Sequence, residues 1–203
     1  MAIVVDTSAS KTVVSPSDQR KNRRQARVLM EGGFVIVALC FGLLLRVLAF
    51  EGVLITSGSM EPELQRGDYN LVDHRAVLAG TWKRGDVVIF DSPPTWTGEG
   101  SVLVKRIIGM PGERVSLYRG RVFINDRPLD EPYLFKPLEI EEDMPAVVIG
   151  NGEYFMMGDN RDHSDDSRDN GPVEENYIRG RILSRLWPPS RFGGIQAPVY
   201  NVK

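Results

Sequence analysis

The chain has 203 residues, 42% of them hydrophobic, and a formal net charge of −2. This length predicts one folded domain with an appendage, and the lack of a basic surplus indicates that nucleic acid is not a partner. Cys40 is the single cysteine, so the sequence excludes an intrachain disulfide and a cysteine-based metal cluster.

The N-terminal region predicts a tail followed by a membrane anchor. Residues 1–26 hold Ser, Thr, Lys and Arg with scattered apolar residues, too few to repay the entropy of folding, so we predict a disordered basic tail over residues 1–31. The following run has no polar residue before Arg46 and, continued to Phe50, meets the lower limit of the ~17–25 residues that span a bilayer. A transmembrane helix is therefore expected over residues 32–50.

Two other interpretations of this apolar run are a buried core helix and a cleavable signal peptide. The run is apolar on all sides and lacks a small-x-small cleavage pattern, which favours an uncleaved anchor. Lys21, Arg23, Arg24 and Arg27 precede it and place the N-terminus in the cytoplasm by the positive-inside rule. The protein is therefore expected to cross the cell membrane once, with its folded domain on the extracytoplasmic side. The sequence does not distinguish a cell membrane from a thylakoid membrane.

Residues 51–203 predict a mostly β domain. Short apolar or alternating runs are separated by Gly and Pro turns, and no helix-period segment of useful length follows Glu51. The expected fold is one N-terminal transmembrane helix followed by an antiparallel, coiled or barrel-like β catalytic domain. The predicted strands lie at residues 69–72, 86–90, 102–108, 114–118, 121–124, 146–149, 153–157 and 178–183.

Two residues of this domain suggest hydrolytic chemistry. Ser59 lies in Ser-Gly-Ser-Met-Glu-Pro at residues 57–62, just after the apolar run, and Lys105 lies among Val, Leu and Ile residues. Ser and Lys form a hydrolytic pair without histidine when the lysine is desolvated enough to be neutral. The alternative is a strand lysine that faces solvent or pairs with a carboxylate. The combination points to a membrane-tethered serine protease.

Four motifs, in order, resemble those of bacterial type I signal peptidase, also called leader peptidase. They are the serine motif at residues 57–62, Arg-Gly-Asp-Val-Val-Ile-Phe at 84–90, the lysine motif at 105–113, and Gly-Asp-Asn-Arg-Asp-His-Ser-Asp-Asp-Ser-Arg at 158–168. The resemblance extends over about residues 27–187. Thr56 stands where the family usually has Pro, and Glu63 stands where it usually has a small residue.

The resemblance implies a role for each matching residue. Ser59 would be the nucleophile, Lys105 the general base, and Ser57 a hydroxyl donor of the oxyanion hole. Ser164 would orient the lysine amine. A charged network would brace the site, formed by Asp159, Arg161, Asp166 and Arg168. Apolar residues adjacent to the pair in sequence are expected to line shallow pockets: Ile55, Met60, Leu64, Leu103 and Val104.

The implied activity is removal of N-terminal signal peptides from exported preproteins after Ala-x-Ala, with preproteins and the lipid bilayer as partners and no cofactor. The aspartates of residues 159–169 match no calcium-binding loop and alternate with arginines, so ion pairs are expected there and no metal.

Two other functions stay open. A related Ser/Lys processing peptidase would have a dedicated, pilin-type substrate. A non-enzymatic anchored binding module is suggested by Arg-Gly-Asp at residues 66–68 and 84–86, although each copy leads into a strand as a turn does. Trp82 and Trp96 lie in loop-like stretches, where they either contact lipid headgroups or pack locally.

Overall fold

The structure, a computed structural model, describes residues 30–43, 49–96, 100–134, 142–195, 198 and 200. The chain divides into two compact units, Met1–Val47 and Leu48–Lys203. In the first unit, residues 30–43 form helix α1. No helix within the described residues combines the length and the apolarity that crossing a membrane requires. The predicted tail up to residue 29 lies outside the described residues.

The expected helix boundary at Phe50 is corrected by the structure. Phe50 is the first residue of strand β1, Phe50–Leu54, which pairs antiparallel with β2. The sequence did not separate helix from strand here because apolar residues continue across the junction. The periodicity of a short apolar run does not distinguish a helix from a strand.

The second unit is mostly β, as predicted, with two antiparallel sheets among its described residues. The larger sheet has the order β1-β2-β11-β3-β4-β9-β10, with β12 on β11, and the smaller has the order β7-β6-β5-β8. The strands after β1 are β2 Tyr69–Asp73, β3 Val87–Asp91, β4 Val102–Gly109, β5 Arg114–Tyr118, β6 Arg121–Ile124, β7 Arg127–Pro128, β8 Met144–Val148, β9 Glu153–Met157, β10 Val173–Glu174, β11 Ile178–Trp187 and β12 Gly193–Gly194. Two short helices accompany them, α2 Arg75–Ala79 and α3 Ser167–Asn170.

All eight predicted strands have a counterpart within three residues of their predicted bounds, except that β11 continues four residues further to Trp187. Its register shifts twice against β2, between Ile182 and Ser184 and between Arg185 and Trp187. Such irregularities break the apolar alternation from which a strand end is predicted. The sequence also missed β7, β10 and β12, which are two residues long and carry no periodicity.

One apolar core supports the loop that follows β1. Met60 and Leu64 of that loop are buried, and Leu64 donates its backbone N–H to the Met60 carbonyl at 2.9 Å, as in one helical turn. Residues four apart in such a turn share a face, so both side chains enter the same core. The cluster consists of Ile55, Met60, Leu64, Val72, Val87, Ile89 and Ile182. The loop between β1 and β2 is therefore fixed by its own apolar side chains.

Trp82 and Trp96 belong to another apolar core. Of the two interpretations, lipid contact and local packing, local packing is therefore correct. Both are at most 5% exposed. The Trp96 ring packs edge-to-face on Phe90 with centroids 5.6 Å apart, and Trp82 Nε1 donates to Glu175 Oε1 at 3.0 Å. Their neighbours in sequence are polar or proline, which hides this burial from sequence analysis.

Candidate active site

Ser59 lies in a turn of the β1–β2 loop that is held from outside by the loop after β9. The backbone N–H of Asn160 donates to the Ser59 carbonyl at 3.0 Å, and Asn160 Nδ2 donates to the Gly58 carbonyl at 3.0 Å. Ser57 Oγ lies 3.4 Å from Ser59 Oγ. The two hydroxyls that the sequence singles out are thus neighbours on a loop whose backbone is held at Gly58 and Ser59.

Lys105 lies in the middle of β4 and is 3% exposed. Its Nζ donates to Ser164 Oγ at 2.9 Å. Burial lowers the pKa of the Lys105 amine below its ordinary value, and the carboxylates of Asp166 and Asp165 offset only part of that shift. An amine in this environment loses its proton more readily and becomes available as a base.

Ser59 and Lys105 line one cleft of about 420 Å³. Four of the five apolar residues expected there do so: Ile55, Met60, Leu103 and Val104. Leu64 does not; it is completely buried in the core beneath the loop, because the helical turn after Met60 directs it inward. The cleft has further lining residues that the sequence did not indicate, namely Val53, Leu54, Thr56, Ile89, Val102 and Asp165.

The acidic loop positions Ser164 through ion pairs, as its alternation with arginine suggested. Arg168 binds the Asp166 carboxylate, with Nε 2.9 Å from Oδ1, and donates from Nη2 to the carbonyls of Arg161 and Ser164 at 2.7 and 3.2 Å. Burial alone raises the pKa of Asp166, but the hydrogen bonds from Arg168 and from the Gly158 N–H hold it below its ordinary value. The Asp166 carboxylate thus holds Arg168 in place, and Arg168 binds the backbone carbonyls of Arg161 and Ser164.

A second buried ion pair joins Asp159 and Arg106. The sequence analysis named Asp159 but did not identify Arg106 as its partner. Arg106 Nε and Nη2 donate to Asp159 Oδ1 and Oδ2 at 2.8 and 2.6 Å, and the guanidinium lies 4.1 Å from the Tyr133 ring centroid. Successive residues of a strand point to opposite faces, so Arg106 faces away from the side that Lys105 occupies. A bidentate pair of this kind holds Asp159 in a single geometry. It thereby also fixes the adjacent Asn160, which binds the Ser59 loop.

Arg161 is also buried and paired, with Glu131 as a partner that no sequence signal identified. Arg161 Nη1 donates to Glu131 Oε2 at 3.2 Å, and its Nε donates to the Gly158 carbonyl at 3.1 Å. Thirty positions separate the two residues. A long-range pair between isolated charges becomes visible only once the chain is folded.

Glu63, which stands where the family usually has a small residue, is absent from the cleft lining. Its carbonyl accepts from Arg185 Nη1 and Arg191 Nη2, each at 3.1 Å, and its carboxylate lies 3.5 Å from Arg185 Nη2. Arg191 also donates to the Pro62 carbonyl at 3.2 Å. The end of the β1–β2 loop turn is therefore bound by two arginines from the C-terminal part of the chain. Thr56, the other departure from the family pattern, is exposed and lines the cleft.

Gly158 allows the Ser59 loop and Ser164 to approach each other. A Cβ added at Gly158 would lie 2.3 Å from Ser164 Oγ and 2.4 Å from the Ser59 carbonyl oxygen. Both distances are far below van der Waals contact, so any side chain here must push the two serine segments apart.

We expect Gly158→Ala to lower kcat by about 100-fold or more, because a misplacement of about 1 Å between reacting groups costs that much. Gly193→Ala is the matched control, since nothing lies within 4 Å of a Cβ at that position. Measurement of kcat for both variants at equal folded fraction tests the expectation; equal activity of the two would contradict it.

Among the described residues, no group of three or more His, Cys, Asp or Glu side chains is arranged to hold a metal ion. The site instead offers a serine hydroxyl, a desolvated lysine amine and a second hydroxyl in one cleft. These groups are chemically competent for acyl transfer without histidine, which is the chemistry of the Ser/Lys class of serine hydrolases.

Comparison with known proteins gives the family. The family model described as signal peptidase, peptidase S26, matches residues 27–187. The chain is 35% identical over 163 residues to "Probable signal peptidase I-1" of Synechocystis sp., covering 78% of this chain and 82% of that protein. It is 35% identical over 164 residues to "Signal peptidase I" of Bacillus licheniformis, covering 76% and 86%. It is 32% identical over 161 residues to "Thylakoidal processing peptidase 1, chloroplastic" of Arabidopsis thaliana, covering 76% and 47%. The chain belongs to the signal peptidase family, peptidase S26, which confirms the resemblance of its four motifs.

Proposed function

We propose that this protein is a membrane-bound serine endopeptidase that removes N-terminal signal peptides from exported preproteins. The observation that carries the proposal is the buried Lys105 amine, hydrogen-bonded to Ser164 in the same cleft as Ser59. Membership of the signal peptidase family supports the substrate class. It also favours this function over an anchored binding module and over a pilin-type peptidase.

In the proposed mechanism the neutral Lys105 amine takes the proton of the Ser59 hydroxyl as Ser59 Oγ attacks the scissile carbonyl. The resulting oxyanion is bound by the Ser59 backbone N–H and the Ser57 hydroxyl. The Lys105 ammonium then returns its proton to the leaving amine, which leaves an acyl-Ser59 ester and the mature protein. Water, deprotonated by Lys105, hydrolyses the ester and releases the signal peptide.

Preprotein cleavage by the full-length protein in detergent tests the function. A preprotein with Ala-x-Ala before the cut should be trimmed at that site, and replacement of the last Ala by a large residue should prevent trimming. A pilin-type peptidase would cut its dedicated substrate alone, and a binding module would leave every preprotein intact. Either result would contradict the proposal.

The role of Ser57 gives a separate prediction. We expect Ser57→Ala to lower kcat by ~10²–10³ with KM nearly unchanged, because one oxyanion donor is lost and ground-state binding is not. Ser57→Thr should keep much of the activity because the hydroxyl survives. Steady-state kinetics on one preprotein distinguishes the cases. A loss confined to KM, or a fully active Ser57→Ala protein, would exclude the oxyanion role and leave a turn serine that bonds its own backbone.

We assign the protein to a membrane as a single-pass protein with a cytoplasmic N-terminus and an extracytoplasmic β domain. Large apolar side chains of helix α1 are exposed, with Phe34 76% and Leu39 68% accessible, and such a surface is unfavourable in water. The basic residues before Phe34 support the orientation. The similarity to both bacterial and thylakoidal peptidases is compatible with either a cell membrane or a thylakoid membrane.

The β unit carries an exposed apolar row that is suited to a lipid surface. Leu54 pairs with Tyr69, and Tyr69 pairs with Trp187, across β1, β2 and β11. The side chains of such cross-strand partners lie on one face of the sheet, and the three residues are 42–60% exposed. Leu54 also lines the cleft. Trp187, in place of Trp82 and Trp96, is therefore the tryptophan that we expect at the headgroup level.

Brominated-lipid quenching of the full-length protein in vesicles tests this assignment. Trp187 fluorescence should be quenched, whereas the buried Trp82 and Trp96 should not respond. Because the chain has three tryptophans, we expect Trp187→Phe to abolish the quenching, while Trp82→Phe leaves it unchanged. Quenching that persists in Trp187→Phe would contradict the proposed contact.

A further inference from the structure

One charged side chain in the cleft has no role in the mechanism proposed above, although it stands within the fourth sequence motif. Asp165 is exposed and lines the cleft together with Ser59 and Lys105. The other described residues of the lining are neutral. Because Lys105 must be neutral to act as the base, the reactive form of the cleft carries the negative charge of Asp165 alone.

The position of Asp165 is fixed by its two neighbours. Ser164 accepts a hydrogen bond from Lys105, and Asp166 caps helix α3 and binds Arg168. Asn170 Nδ2 donates to Asp165 Oδ1. The backbone on both sides of Asp165 is therefore fixed, and the hydrogen bond from Asn170 orients its carboxylate.

The cleft has an apolar part and a charged part. The apolar part comes from Val53–Ile55, which leads toward Ser59, and from Val102–Val104, which leads directly into Lys105. Asp165 lies beside the reactive groups instead. If a preprotein is the substrate, as proposed above, its apolar signal-peptide residues match the apolar walls. The first residues after the cut then approach Asp165.

We propose that Asp165 is a specificity-determining residue that favours preproteins with a cationic side chain just after the cleavage site and disfavours those with an acidic one. An exposed charge pair changes an equilibrium by up to about fivefold. The difference between attraction of Lys and repulsion of Glu is therefore roughly tenfold in kcat/KM. High salt reduces it, since the pair is accessible to counterions.

Matched preproteins test the proposal. They differ only in carrying Lys, Gln or Glu at one of the first three positions after the cut, and kcat/KM is measured with the full-length protein. The wild type should prefer Lys over Glu by about tenfold in at least one of these positions. Asp165→Asn should bring that ratio close to one, and Asp165→Lys should invert it.

Asp169→Asn is the matched control. Asp169 is an exposed aspartate of the same segment that does not line the cleft, so this variant should keep the wild-type ratio. Three outcomes are distinguishable. If the wild type cleaves none of the preproteins, the proposed function fails. If it cleaves all of them without charge preference, or if Asp165→Asn keeps the ratio, the specificity role alone is excluded.

The pH dependence provides a readout that a merely structural role of Asp165 would not change. Burial lowers the pKa of Lys105, and the nearby guanidinium of Arg168 lowers it further. The carboxylates that face Lys105 raise its pKa; they belong to Asp166, Asp165 and Asp159. Removing the charge of Asp165 should therefore lower the pKa of Lys105. For the preprotein that carries Gln after the cut, kcat/KM of Asp165→Asn should rise at a lower pH than that of the wild type. Asp169→Asn should leave the profile in place, and an unshifted profile in Asp165→Asn would contradict the electrostatic contact with Lys105.

Discussion

Ser59→Ala is expected to abolish preprotein cleavage, with kcat reduced by about 10⁴-fold or more. The substitution removes the hydroxyl that would form the acyl-enzyme in the proposed mechanism. It leaves the loop backbone, held by Asn160 and by the buried Met60 and Leu64, as it was. The change in the free energy of unfolding should stay within about 1 kcal/mol, because Ser59 is only half-buried and its carbonyl contact survives.

The measurement is single-turnover cleavage of one preprotein, with thermal unfolding recorded in parallel. Ser116→Ala, on β5 of the smaller sheet, carries the same chemical change away from the cleft and should be fully active. Near wild-type turnover by Ser59→Ala would refute the serine-nucleophile mechanism.

Lys105→Arg is expected to have an effect of similar size. A guanidinium stays protonated at any accessible pH, so it cannot accept the Ser59 proton even though it preserves the positive charge. Lys105→Met has nearly the same length and no buried charge to desolvate, so it should fold at least as stably as the wild type and be equally inactive. Lys83→Arg, at an exposed position, should keep full activity.

The wild-type rate should rise with pH through the pKa of Lys105. Because burial disfavours the ammonium form, the amine is deprotonated at lower pH than a free lysine, whose pKa is ~10.4. The activity is thus lost as pH falls through the lowered pKa and is present above it. The pH profile of kcat/KM measures this, and a rate that shows no ionisation below about 10 would contradict a neutral lysine base.

The sequence indicated the local parts of the candidate site and missed those that depend on folding. Ser57, Ser59, Lys105 and Ser164 stand in short motifs whose chemistry can be inferred from residue type and neighbours. Arg106 and Glu131 lack such a signal, since their partners are Asp159 and Arg161, at distant positions.

The fold shows the same division between local and long-range features. Strands with clear alternation, such as β5 and β6, were predicted at their observed bounds, whereas β1 merged with the preceding apolar helix in the prediction. Leu64 was placed in the cleft because it is near Ser59 in sequence, but the turn that buries it is set by three-dimensional packing. Asp165 gave no separate signal among the neighbouring aspartates.

The position of β11 in the sheet means that the Ser59 loop acquires its full support late in synthesis. β11 is the last long strand of the chain, yet it lies between β2 and β3, and the loop that carries Ser59 is bound by Arg185 and Arg191 at its end. A chain that has been synthesised only to β10 therefore exposes two unpaired strand edges, and its Ser59 loop lacks its arginine contacts. The pairing of β11 with β2 and β3 joins residues that are far apart in sequence, and such long-range pairing makes folding slow. The order of synthesis therefore places the closing of the larger sheet, and with it the arginine contacts of the Ser59 loop, after β10 has emerged.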